Sequence, residues 1–460
     1  MSPFAVRHCL GLVAVSWLAL GRVASAQEPG DPRPYLGLFP QVATGASPAA
    51  RPSPRSTTDL FVQTFEEVER VGVPPGSNDQ PLGRSQSFFG GIRADLRRSD
   101  TGSWGSYGIG TGVGARYDPA AGGLRPEDYS VEADVRSDLT ARTGIVVSQR
   151  VRSSRAYPFG VTLTNAGTSG EVTSGRMASG LASFVVGSTA SLSRHITRRT
   201  VMQFGYSFDR VVYADSGIPV SSHHATGELQ RSISRGLSIH VGYGSVWSDS
   251  GLAGGSTTNH SHQIAFGGEY QLPSFRTTTV TAGVAPSLSA STRFIATGPP
   301  GASGPKRAHS FALEGLVRID HRFSSGSSIG LGYQRTSSDA QSSNEPVLAD
   351  VLTGRLEGHL GDRLVARLDL FHSRGRPRIQ QQAETSVSAS ARVDLQVSST
   401  TYLYAEYVRD DHTGAGGVSS LPGLARPVER QRVQLGVKLD IKPWTLARRD
   451  RHSSMSRRRP

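Results

Sequence analysis

The chain has 460 residues, with 50 Lys+Arg against 37 Asp+Glu and a formal charge of +13. Much of that excess sits in residues 442–460, where Lys442, Arg448, Arg449, Arg451, Arg457, Arg458 and Arg459 face the single acid Asp450. The basic balance is thus largely a tail property and gives no ground for a nucleic-acid partner. The only cysteine is Cys9, inside an N-terminal apolar stretch. The rest of the chain therefore has no disulfide, thiolate metal site, Fe–S cluster or catalytic cysteine, and no cofactor is expected.

Residues 1–26 read as a Sec-type signal. Arg7 and His8 open it, Cys9 to Leu20 is apolar, and Ala24-Ser25-Ala26 offers a small-x-small cleavage site near Ala26. The apolar run is too short to span a bilayer. Residues 27–58 are rich in Pro, Ala and Arg and read as a disordered periplasmic arm.

From residue 59 to 441 the dominant signal is alternation with period two. Val131, Ala133, Val135 and Leu139 oppose Glu132, Asp134, Arg136 and Asp138; Met202, Phe204, Tyr206 and Phe208 oppose Gln203, Gly205, Ser207 and Asp209; Val433, Leu435, Val437, Leu439 and Ile441 oppose Gln434, Gly436, Lys438 and Asp440. Each such segment forms a strand with one apolar and one polar face. Strands are expected near 59–71, 86–97, 105–117, 127–139, 144–153, 181–194, 199–213, 222–232, 236–248, 258–272, 277–291, 307–322, 327–339, 349–360, 364–374, 381–397, 401–411 and 427–441. The first is ambiguous, since Phe61, Phe65 and Val68 also fit one helix face. Tight connections near 139–144, 195–199, 232–236, 361–363 and 398–401 alternate with longer Gly/Ser/Pro-rich stretches such as 118–126, 154–180, 214–221, 249–257, 292–305 and 412–425. Sorting of loop length by parity is the mark of an all-β, closed, antiparallel transmembrane barrel of about 18 strands, with short periplasmic turns and longer external loops. A soluble sandwich has no reason for it.

One hairpin carries a register. If Gly361 to Arg363 form the turn, Leu352, Leu356 and Leu360 share a face with Leu364, Leu368 and Leu370. Glu357 then faces Arg367, and Arg355 faces Asp369. Such pairs contribute about 0.2–1 kcal/mol each, whereas charges at mid-depth in lipid cost roughly 2–4 kcal/mol. That face is expected to line a wet lumen.

At the end of the last strand, Gln434, Gly436, Leu439 and Ile441 follow the order polar-x-Gly-x-x-apolar-x-apolar. This resembles the β-signal of outer-membrane proteins, and the resemblance implies the barrel-assembly machinery as a partner. The final Ile and the basic tail 442–460 depart from that pattern. The up-turn-down phrases SDLTARTGIVVSQRV (137–151), SRHITRRTVMQFGYSF (193–208) and RSISRGLSIHVGYG (231–244) resemble Gram-negative barrels associated with exopolysaccharide gene clusters. That likeness implies export of polysaccharide with a periplasmic partner.

Other chemistry is thin. Gly108, Gly110, Gly112 and Gly114 mimic a dinucleotide loop but alternate within a strand, where they leave room for bulky neighbours. His260 and His262 share a face near external strand ends, beside His223-His224; no carboxylate is evidently placed to complete a metal site. Asp410-Asp411-His412 could form a proteolytic rim. The long stretch 154–180, with Arg155, Glu171 and Arg176, is a candidate constriction loop. The expectation is a non-enzymatic channel for hydrophilic solute in an outer membrane, with lipid as its surroundings; a general porin, a rim hydrolase and a structural or adhesive barrel are the alternatives.

Overall fold

In the computed structural model the strands form one closed antiparallel sheet. The structure describes residues 55–72, 85–101, 105–118, 122–158, 176–213, 219–252, 255–273, 277–295, 306–339, 346–377, 384–413 and 428–441. The strands are β1 (Arg55–Gly72), β2 (Ser85–Thr101), β3 (Gly105–Asp118), β4 (Gly123–Thr140), β5 (Thr143–Pro158), β6 (Arg176–His195), β7 (Thr200–Tyr213), β8 (Pro219–Ser232), β9 (Leu237–Leu252), β10 (Gly255–Gln271), β11 (Thr278–Ile295), β12 (Lys306–Arg322), β13 (Ser328–Asp339), β14 (Pro346–Leu360), β15 (Leu364–Pro377), β16 (Glu384–Gln396), β17 (Thr401–Thr413) and β18 (Val428–Ile441). Each pairs with its neighbours in sequence, and β1 also pairs with β18, Leu60 opposite Ile441 and Gly72 opposite Glu429. That last ladder closes the sheet and removes its edges. The even count brings the start of β1 and the end of β18 to the same end of the barrel.

Connections sort by end. Beside Arg55 and Ile441 they are tight, at 141–142, 196–199, 233–236, 361–363 and 397–400; at the other end they include 73–84, 159–175, 296–305 and 414–427. In the turn 361–363, Gly361 has φ +73, a left-handed conformation that favours glycine and lets three residues reverse the chain. Several stretches expected as long loops are shorter; β3 ends at Asp118 and β4 begins at Gly123. β9 runs to Leu252 and β10 begins at Gly255, and β8 begins at Pro219. Gly, Ser and Thr keep the backbone donors and acceptors of a ladder, so pairing persists after side-chain alternation fades. The ambiguous first segment is a strand, paired on one side to β18 and on the other to β2.

The two faces differ in the way curvature demands. On the concave face side chains crowd together, and on the convex face they splay. On β14, Ala349 and Val351 are fully buried, while Leu352 is 52 % and Leu360 63 % exposed. The exposed row is apolar around the sheet, through Ile109, Val113, Phe204, Ile264, Leu288, Phe311, Leu331, Leu356, Leu403 and Leu435. The opposite parity carries Arg, Asp, Glu, Gln, Ser, Thr and Gly. No helix among the described residues is long and apolar enough to cross a membrane, a statement that leaves strands aside.

Candidate functional site

Most ion pairs along the described strands lie on the inner face, which is built in three sectors; Arg98–Asp100, Arg335–Asp350 and Arg409–Asp411 share the outer parity. In the first, ion pairs reach across a whole strand. Arg93 on β2 is opposite Gly114 on β3, which is opposite Asp128 on β4. With glycine between them, Arg93 Nη1 comes within 3.1 Å of Asp128 Oδ2. Arg152 on β5 donates to the same carboxylate from Nε and Nη2 at 3.2 and 3.0 Å. Arg97 reaches Asp134 at 3.2 Å past the β3 glycines, and Arg150 reaches Asp209 at 3.0 Å over Gly187 on β6. A Cβ on Gly187 would sit 2.6 Å from Asp209 Oδ1 and 2.8 Å from Arg150 Nε; on Gly108 it would sit 2.5 Å from Asp134 Oδ1; on Gly112 it would strike the Asp95 carboxylate. The glycines that mimic a nucleotide loop are thus the floor beneath these rungs. Forked guanidinium–carboxylate contacts are among the stronger polar bonds.

The second sector is neutral for the most part. β8 to β13 turn Gln230, Ser238, Thr257, Asn259, Gln263, Ser287, Gln334 and Thr336 inward, all buried, with Glu228 and Glu314 among them. Thr336 Oγ1 donates to Glu314 Oε2 at 3.1 Å, and Gln230 Nε2 donates to Ser238 Oγ at 3.3 Å.

The third sector, β14 to β18, pairs charges between adjacent strands. Arg355 is opposite Asp369 and Glu357 opposite Arg367. Arg367 Nε lies 3.2 Å from Glu357, and Arg355 lies 3.7 Å from Asp369 and 3.6 Å from Glu357. Arg392 holds Asp394 at 2.7 Å, and Glu406 lies 3.9 Å from both Arg392 and Arg432. The hairpin pairs are open, Asp369 51 % and Arg355 46 % exposed, so each contributes only about 0.2–1 kcal/mol, whereas Asp394 and Glu406 are 16 % and 12 % exposed.

Sequence reasoning missed the seam. Tyr404 on β17 accepts a hydrogen bond from Gln434 Nε2 of β18 at 2.9 Å and another from Gln63 Nε2 of β1. Its ring lies over Gly436, where a Cβ would sit 2.6 Å from Cε1 and Cζ. The Arg392 guanidinium stands 4.5 Å from the same ring centroid. Nearby, Lys438 Nζ lies 4.9 Å from the Phe61 ring and 5.7 Å from Tyr402. The available signal was parity, since Tyr402 and Tyr404 share a face with Glu406 rather than with Leu403 and Ala405. Within the candidate assembly signal, Gln434 and Gly436 lie on this inner face and Leu439 on the outer; for Ile441 only the strand position is described.

Glu171 lies outside the described residues, as do the side chains of Arg155 and Arg176, so the constriction expectation for 154–180 falls there too. His223 and His224 take opposite faces, with His223 outward beside His260 and His262. Among the described residues no three His, Cys, Asp or Glu gather as a metal site. Asp410 and Asp411 also split. Ser388 Oγ donates to Asp410 at 2.6 Å on the inside, and Arg409 holds Asp411 at 3.0 Å on the outside. One active site cannot use both, and the His412 side chain is outside the described set.

No family model and no curated protein matches the sequence. Solved structures of similar architecture include OccK7 (OpdD) of Pseudomonas aeruginosa, with 12 % identity over 85 % of this chain and 99 % of that one, TM-score 0.44. The ferric-catecholate import receptor Fiu of E. coli K12 shares 10 % identity over 83 % and 82 %, TM-score 0.44. OpdQ of Pseudomonas aeruginosa shares 11 % over 84 % and 98 %, TM-score 0.44. At these identities and scores the likeness says nothing of what passes or binds, so function has to come from the barrel's own two faces.

Proposed function

We propose that this chain is an outer-membrane channel through which hydrophilic solute passes. The observation that carries this reading is the opposition of the two faces: Phe311 at 68 % and Leu360 at 63 % exposure on the outside, Arg–carboxylate rungs on the inside. An apolar belt of that extent around a closed sheet would drive aggregation in water, while lipid satisfies it. Barrels of 16 to 18 strands are too wide for their inward side chains to fill, so the lumen holds water unless loops plug it. The interleaved arginines and carboxylates then favour polar cargo without a single strong charge sign. Protein refolded into planar bilayers should give stepwise ohmic conductance and require detergent for extraction. Silent bilayers with inserted protein would leave a structural or plugged barrel instead.

Within this reading we take polysaccharide leaving with a periplasmic partner as the specific cargo. Support comes from the phrasing of the turns 137–151, 193–208 and 231–244 alone. Deleting the gene should trap polymer in the periplasm while uptake of small solutes is unchanged; the reverse result selects a general porin. The Gln434–Ile441 segment is correspondingly proposed as the contact for the barrel-assembly machinery.

A further inference from the structure

Four successive rows on the outer face of β7 to β12 grade from charged to apolar. The row nearest the long-loop end reads Arg210, Ser221, Asp249, Thr258, Thr292, Arg307 across adjacent strands. The next reads Phe208, His223, Trp247, His260, Ala290, His309, and the one below Tyr206, Ala225, Ser245, His262, Leu288, Phe311. Then come Phe204, Gly227, Tyr243 and Ile264. Histidine thus recurs on every second strand at the height where polar surface gives way to lipid-facing surface.

The imidazoles are held rather than loose. Tyr206 Oη pairs with His223 Nδ1 at 2.7 Å, and Tyr243 Oη with His262 Nδ1 at 2.6 Å. Ser245 Oγ lies 3.3 Å from His260 Nε2, whose ring stacks on Trp247 at 5.1 Å and 17°. His260 and His262 meet edge to face at 4.1 Å, close enough that two imidazolium charges repel unless an anion lies between them. Fixing Nδ1 on a tyrosine leaves Nε2 of His223 and His262 directed away from that bond, a donor when the ring is charged. The charged and titratable groups facing this patch are Arg210 and Tyr206 on β7, Asp249 and Tyr243 on β9, and Arg307 and His309 on β12; β11 contributes Ala290 and Thr292 only. Cations outnumber the single carboxylate.

We propose that these rows bind the phosphate-bearing headgroup of a lipid in the leaflet nearest the long loops, its acyl chains lying on Leu288, Phe311 and Ile264. The proposal rests on the membrane placement proposed above. Charge complementarity and continuity with the apolar belt argue for a lipid occupant. Protonation of an imidazole adds positive charge beside the headgroup, which makes the binding stronger in acid.

The test uses the full barrel in neutral detergent doped with dioleoylphosphatidic acid or dioleoylphosphatidylcholine, read by native mass spectrometry and by the temperature at which the compact gel band is lost. Phosphatidic acid should be held about tenfold more tightly than phosphatidylcholine at pH 5.5, and most of that preference should vanish at pH 8. The triple variant His223→Gln, His260→Gln, His262→Gln should lose it at both pH values, and His223→Gln alone should lower it, which covers a triple variant that does not fold. Equal retention of the two lipids, or a preference unchanged in the variants, overturns the proposal. So does equal protection by inorganic phosphate, which would indicate a soluble-anion site, or protection by zinc chloride to which phosphatidic acid adds nothing. Failure of the membrane placement would be visible separately, as protein soluble without detergent.

Discussion

The two ionic walls of the barrel are made from the same residue types by different means. Along β2 to β7 an arginine and an aspartate face each other across an intervening strand, and the strand between supplies glycine. Along β14 to β18 the partners sit on adjacent strands and no glycine floor is needed. The Asp128 rung is tighter than the β14–β15 hairpin: the Asp128 side chain is 10 % exposed and shared by two arginines, against 24 % for Glu357 and 51 % for Asp369, while Glu406 of the second wall, 12 % exposed, also lies between two arginines. At Asp128 reach across a strand gives a braced pair, whereas Arg97–Asp134, with the same reach, stays 50 % and 31 % exposed. We read the Asp128 rung as bracing for the barrel and the β14–β15 hairpin as the open wall that passing ions feel. The largest expected effect follows. Gly187→Leu would drive a side chain into Asp209 and Arg150 and break that rung, costing about 3 kcal/mol or more through overpacking plus a lost charged bond. The compact, heat-sensitive gel band should be lost or weakened. Gly358→Ala, with nothing within 4 Å of the added Cβ, is the matching control and should leave the band intact.

Asp128→Ala should come next. It removes the acceptor shared by Arg93 and Arg152, though Arg93 retains Asp95 at 2.9 Å. The expected loss is about 1–3 kcal/mol, read as a lower urea midpoint in micelles. If Asp369→Ala costs as much, the division between a bracing rung and an open wall fails. Tyr404→Phe tests the seam on the same scale. It deletes the hydroxyl that Gln63 and Gln434 share while keeping the ring over Gly436 and under Arg392, so about 1 kcal/mol is expected. Because that hydroxyl ties β17 and β18 to β1, the loss should appear as slower formation of the compact band.

How far the sequence reached can be traced residue by residue. The strand count, the turn at 361–363 and the facing of Glu357 with Arg367 were legible, because period-two alternation and one glycine set a local register. The glycines of β3 were legible as a face but not as a floor, since the charges they admit come from two other strands. The Gln63–Tyr404 bond joins residues 341 positions apart; only closure of the sheet brings them together. β1 was ambiguous for a related reason. It carries apolar residues on both faces, Leu60 and Val62 outward but Phe61 opposite Asp95 and Asp440, so no local parity names its inner side. His223 and His224 look like a pair in sequence, whereas a strand separates them onto opposite faces.

The smallest change in stability should give the clearest change in transport. Glu357 contacts both Arg355 and Arg367, so Glu357→Gln leaves two cations on the open wall with less compensation. With Glu357 24 % exposed and Arg367 42 %, the pair is worth about 0.2–1 kcal/mol at most, and the barrel should fold unchanged. Reversal potentials in a KCl gradient should nonetheless move toward anion preference. Arg367→Gln should move them the other way, and the double variant should return near the original value. The Debye length falls from about 10 Å at 0.1 M to about 3 Å at 1 M salt, so both shifts should fade at high salt if this wall faces the ion path. Shifts that persist at 1 M would mean a rearranged pore, and none at 0.1 M would mean that ions do not pass this wall.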